Sequence, residues 1–484
     1  MKTAPISNDR PAKPRAAAAA AAKTPTKKVA CASCKKPIFE GAKKCRHCKA
    51  WQPERARSPR AAAVVFAAVG SVLAVMLTSR ESPVGEAPPL TPLPGAASAK
   101  HQEAPAIAEP KPEAPTPPTK RDWKAREILL GDVHPLDLVF SKDGKSLYVS
   151  ADDATVREYL VETGELVHKA SVPAKGDRLR LLGGRYLAVL RRDARVSRIP
   201  VADVTKWDRD PLLLDVGAGP GDVLELSDGS IVTASTDGHR ISRFGLPSGR
   251  LLADLSLPQS TGQLFLVRSE GRTQLAALGA MTHAGRPAGA WIDLFDPAET
   301  PFGATRRSVA VGRDPQEGAV SSDGAALLLP DRASNSATLL RIGGATESRS
   351  VEVGQEPIAA FVLSGDRWGV TLSGVSRTAS VVRLDAPAER EPRDAGTSLS
   401  VSTLMLPGAP RAGVCSPDRS RLFVSLGGLE SPPRGRGVVV IAGDPPEVVS
   451  VLETGEGSGS IGASSDGKRA AVVNYFAKSI TVIE

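Results

Sequence analysis

Cysteine is scarce in this chain and unevenly placed. There are 5 in 484 residues, four of them between positions 31 and 48, with Cys415 standing alone far downstream. That distribution excludes a disulfide framework, which needs cysteines spread through the fold. Histidine is also rare, and His134, His168, His239 and His283 stand far apart, with no paired metal-ligand spacing and no nucleophile motif. Positive charge is missing from most of the chain. Of the formal +9, the first sixty residues hold 16 Lys or Arg against Asp9, Glu40 and Glu54, so the rest is net acidic. Attraction to an anionic partner therefore belongs to the N-terminal segment alone. Long apolar runs are absent but for one, "AAAVVFAAVGSVLAVML" at 61–77. What is plentiful is Gly, at 45, and Pro, at 40, which announce turns and linkers.

Residues 1–29 are basic, low-complexity and poor in large apolar side chains, so they cannot bury enough surface to offset ordering entropy and read as a disordered tail. The four clustered cysteines follow in "CASCKKPIFEGAKKCRHC", over a ribbon placed at 30–52. A CxxC turn points two thiolates at one ion, and two such turns complete a tetrahedral shell, so Cys31, Cys34, Cys45 and Cys48 are the expected Zn(2+) ligands. A segment this short has almost no apolar core without metal. His47 is surplus to that set and reads as a surface residue. The segment resembles the short zinc-ribbon domains of bacterial proteins, with Lys35 and Lys49 where glycine commonly follows each knuckle. Those lysines, with Phe39 and Trp51, leave nucleic-acid contact as an alternative to the favoured protein docking.

The run at 61–78 carries no charge before Arg80 and is long enough to cross a hydrocarbon core of about 30 Å. Lys43, Lys44, Arg46, Lys49, Arg55, Arg57 and Arg60 precede it, whereas Arg80 alone follows before Lys100. The positive-inside rule then puts the ribbon in the cytoplasm, where thiols stay reduced, and everything downstream outside the inner membrane, in the periplasm. The flanking cations also hold against anionic inner-membrane lipid, which accounts for part of the charge. The Pro/Ala-rich linker at 79–121 favours extended backbone and reaches on the order of 120 Å at about 3.1 Å per residue.

From 122 to 484 the pattern becomes short strands and turns. "PLDLVFSKDGKSLYVSADDATVREYLVETGELV" reads as four antiparallel strands, at 136–140, 146–150, 155–160 and 165–171. Polar turns between apolar runs recur at Gly183, Asp228, Gly271, Asp323, Gly365, Asp418 and Asp466. "VGAGP" at 216–220, "VGRDP" at 311–315 and "VGQEP" at 353–357 mark handovers from one unit to the next; glycine is expected to allow a sharp turn there and proline to open the next inner strand. Such repeats predict an all-β chain closed as a seven- or eight-bladed β-propeller. The last unit supplies only three strands, so 125–132 is expected to complete it and latch the ring. These residues resemble the YVTN-type β-propeller repeat, and more loosely WD40 repeats; the last unit matches best, through Ser465–Lys468, Val472, Val473, Asn474, Val482 and Ile483. The resemblance implies a binding scaffold and brings no catalytic residues.

Loops converge at one mouth of a propeller channel. The handovers contribute His134, Arg313, Asp314, Gln355 and Glu356, and the hairpins of the same face contribute Tyr475 and Phe476 alongside Asp152, Asp153, Asp237, His239, Arg332 and Asn335. The sequence thus predicts a membrane-anchored, non-enzymatic scaffold that takes a protein or peptide partner on this face. The alternative is an anchored propeller enzyme of lactonase or quinoprotein-dehydrogenase type.

Overall fold

The computed structural model describes residues 28–30, 37–39 and 122–484, apart from 192, 194, 284–285, 344–345 and 386–399, and the chain falls into two units, 1–108 and 109–484. In the first unit Lys28–Ala30 and Pro37–Phe39 pair antiparallel, Val29 facing Ile38. The four expected zinc ligands, the 61–78 span and the 79–121 linker lie outside the described residues. Among the described residues no helix is long and apolar enough to cross a membrane.

In the second unit eight four-stranded antiparallel sheets follow one another as blades. Blade 1 runs Pro135–Phe140, Ser146–Ala151, Thr155–Leu160 and Leu166–Ser171, within a residue of the boundaries its alternating pattern predicts. Blades 2 to 7 occupy 178–215, 220–256, 260–311, 319–352, 357–405 and 412–452. Blade 8 takes three strands from 458–483, and its outer strand is Ala125–Leu129, paired along Ser479–Ile483. The backbones of Lys124 and Glu484 exchange hydrogen bonds at 3.0 and 2.9 Å, so the expected latch closes the ring.

The core is distributed as eight apolar clusters, one at each junction of neighbouring blades. At the closing junction Ile128, Ile480 and Val482 of blade 8 pack on Leu138, Phe140 and Tyr159 of blade 1. This explains why second and third strands read as nearly unbroken apolar runs: Ser146–Ala151 and Ser230–Ser235 are buried at every position because both faces meet a neighbouring blade. Outer strands lose that cover, and Leu166–Ser171 is exposed almost throughout.

The seven recurring polar turns, and the first unit's own turn at Asp143 and Gly144, all fall between the first and second strands of their blades. In four of them a serine donates its hydroxyl to an aspartate two residues on: Ser141 to Asp143, Ser321 to Asp323 and Ser464 to Asp466 at 2.6 Å, and Ser416 to Asp418 at 2.5 Å. The same aspartate oxygen accepts a backbone N–H two residues further, as from Lys145 and Lys468. These carboxylates are therefore occupied in holding the hairpin.

Candidate functional site: the handover face and channel mouth

The handover loops and the hairpins between second and third strands share one face, and a repeated clasp ties them. In blades 1, 3, 5, 6 and 8 the last residue of the handover loop's turn accepts the N–H of the first hairpin residue: His134 from Asp152 at 3.0 Å, Gly219 from Thr236 at 2.8 Å, Asp314 from Arg332 and Glu356 from Gly374 at 3.1 Å, and Gly457 from Tyr475 at 2.8 Å. Blades 3 and 8 use glycine there in left-handed backbone, Gly219 at φ +68° and Gly457 at φ +83°; blades 5 and 6 put Asp314 at φ +54° and Glu356 at φ +51°. Side chains rarely adopt that conformation without cost.

At the handovers of blades 5 and 6 glycine has a different reason from the sharp turn expected of it. Gly217 takes positive φ, +87°, as does Gly219, whereas Gly312 and Gly354 do not. At those two positions a methyl group would overlap the Asp331 carboxyl and the Thr378 hydroxyl, respectively. The glycine makes room for the polar residue that ends the neighbouring second strand, Asp331 in blade 5 and Ser373 in blade 6, while Gly455 packs on Asn474 in blade 8. Asp331 is fully buried and accepts the Thr338 hydroxyl at 2.6 Å; burial pushes its pKa up to about 6.

The expected partner-binding residues occupy three rim positions. At the junction of blades 8 and 1, His134 stacks on Tyr475 at 4.6 Å and donates from Nδ1 to the Tyr475 carbonyl at 2.8 Å. Phe476, 37% exposed, meets Tyr475 edge-on, and the Arg434 guanidinium lies 5.7 Å from its ring centre. Half a ring away, between blades 4 and 5, Asp314 pairs with Arg332 at 2.7 Å and Arg313 is exposed. One junction further, Gln355 and Glu356 are exposed, their backbones held by Ser376 and Asn335. The aromatic group is thus brought together as one cluster, and the charged residues sit on the far side of the mouth.

Between them opens the channel, a cavity of about 840 Å³ lined by inner strands. Acids in and beside it escape a motif search but share a signal, proline followed two positions later by an acid: Pro135 and Asp137 and Pro315 and Glu317 in the cavity wall, and Pro220 and Asp222 beside it. Each acid has a structural partner. Asp137 is buried and accepts the N–H of Leu179 in blade 2 at 2.6 Å, together with the Ser460 hydroxyl of blade 8; burial raises its pKa. Asp222 accepts the N–H of Leu264 in blade 4 at 3.2 Å and stands 3.6 Å from Arg180. Glu317 pairs with Arg178 of blade 2, spanning three blades. Among the described residues no group of three or more His, Cys, Asp or Glu is placed to hold a metal ion. The lone Cys415 is half-buried, and desolvation pushes its thiol up to about 12.

No protein-family model and no curated protein matches this chain. Solved structures are similar in fold: hydrazine synthase of Kuenenia stuttgartiensis, 16% identical over 73% of this chain and 95% of that one, TM-score 0.48; a streptogramin B lyase, 13% identical over 75% and 97%, TM-score 0.45; and the Swd1 β-propeller domain of Myceliophteria thermophila, 11% identical over 74% and 99%, TM-score 0.43. Similarity of this degree carries nothing about activity or partner.

Proposed function

We propose that this chain is a membrane-anchored binding scaffold, with a zinc ribbon in the cytoplasm and a propeller held in the periplasm that takes a protein or peptide on its handover face. The observation that carries the binding reading is the rim. Blades 5 and 6 keep Asp314 and Glu356 in left-handed backbone where blades 3 and 8 use glycine, and the exposed Phe476 faces them across the channel mouth. Asp137 and Glu317 in the channel are engaged in bonds between blades, which favours binding over catalysis. The ribbon reading draws support from the hairpin of Lys28–Ala30 with Pro37–Phe39, whose strands bracket the positions of Cys31 and Cys34. Inner-membrane lipid is the expected neighbour of the 61–78 span, and nucleic acid is not favoured.

Two experiments test this. An export-dependent reporter fused to Glu484 is active and a cytoplasm-only reporter is silent if the propeller is periplasmic; the reverse result inverts the topology. A photo-crosslinking residue in place of Phe476 gives discrete adducts in cells, and the same residue in place of Lys468, exposed in a turn on the opposite face, gives none. Equal labelling from both sites contradicts a binding role for the handover face.

A further inference from the structure

Three arginines line the channel, and they are not equivalent. Arg178 and Arg180 are neutralised from within by Glu317 and Asp222. Arg411, immediately before the inner strand of blade 7, is half-buried, and no carboxylate lies within ion-pair distance of it among the described residues. Its one side-chain hydrogen bond is from Nη1 to the Glu430 carbonyl at 3.3 Å, and burial lowers its pKa with no acid opposing the effect. A guanidinium carries five N–H donors, so most of these are unspent. Holding a cation part-way out of water without a counter-charge is costly, and an arriving anion offsets that cost.

We propose that Arg411 receives a carboxylate side chain of the partner, so that the propeller selects acidic peptides; this rests on the reading that the handover face binds a peptide. The surroundings specify the chemistry. Asp137, Asp177 and Glu317 share the cavity wall and disfavour a multiply charged group such as phosphate, whereas a planar monoanion matches the guanidinium fork. They also specify a peptide. The loop between Ser425 and Val438 that supplies the Glu430 carbonyl sends Leu429 into the cavity wall and Arg434 over Phe476. One segment therefore joins the exposed aromatic to the unpaired cation, the layout for an extended ligand with an apolar anchor and an acidic residue beside it.

The test uses the full-length protein in detergent on an array of random, C-terminally amidated peptides. Wild type enriches Asp or Glu at one position by about ten-fold, the equivalent of roughly 1.4 kcal/mol. Arg411→Gln loses that preference, and Arg411→Lys, which keeps the charge, retains part of it. Acid enrichment that survives Arg411→Gln overturns the proposal. So does displacement by free glutarate without any peptide preference, which would assign the site to small carboxylates. Selection of peptides lacking an acidic position, sensitive to Phe476→Ala, overturns the role of Arg411 and leaves the binding face standing. An array with no selection at all overturns both.

Discussion

At the scale of single residues, the two most informative positions are adjacent in space: Gly312 and Asp331. Because a methyl at Gly312 would overlap the Asp331 carboxyl, Gly312→Ala is expected to cost about 1–3 kcal/mol in urea unfolding, the usual penalty of overpacking. Asp331 itself gives a pH-dependent effect. Its folded pKa of about 6 lies above the ordinary 3.8, so its stabilising contribution is present below 3.8 and is lost as pH rises through about 6. Asp331→Asn keeps the shape without the charge. It should raise the thermal midpoint at pH 8, by an amount corresponding to about 1–3 kcal/mol, and leave it little changed at pH 3, below the unfolded value. An identical pH profile for the two proteins would show that the carboxyl titrates normally. Cys415, pushed up to about 12, is expected to stay unmodified by a thiol reagent at pH 8 until the chain unfolds.

At the scale of elements, the latch is a strand whose two faces differ sharply. Ile128 is buried between blades 8 and 1, whereas its neighbour Leu129 is 74% exposed. Ile128→Asp should therefore destabilise by about 3 kcal/mol or more, and Leu129→Asp by no more than about 0.5 kcal/mol, measured by chemical denaturation. Equal effects would mean the strand is not docked as described. The latch and the turns were legible in the sequence because their signals are local or terminal. A polar turn residue between two apolar runs marks a hairpin locally, and a final unit with three strands declares a missing fourth. The count of eight was legible from the turns, though the irregular spacing of 177–215 and 260–310 left seven open; blade 4 is irregular because its first three strands run 10, 12 and 10 residues. The channel was not legible. Asp137, Asp222 and Glu317 look like polar positions at the start of strands, and Glu317 finds Arg178 only because the ring brings blades 2 and 5 face to face. The reason for Gly312 was hidden likewise, since Asp331 lies on the far side of a hairpin.

At the scale of the whole molecule, the segment proposed as a zinc ribbon and the propeller belong to separate units of the chain and should respond separately. Full-length protein is expected to carry about one zinc per chain by elemental analysis. The double replacement Cys31→Ser, Cys34→Ser should abolish that zinc while the propeller's unfolding midpoint stays unchanged. A shared loss would mean that the two are energetically coupled. The latch has one more consequence, for the order of events during synthesis. Ala125–Leu129 leaves the ribosome before any blade, yet its partner Ser479–Ile483 is made after every other strand. Until then seven blades can stack only as an open arc, with the unfinished blade exposing an unpaired edge. Ring closure therefore waits for Ser479–Ile483, and a ribosome stalled shortly before Ser479 would leave an arc that cannot close.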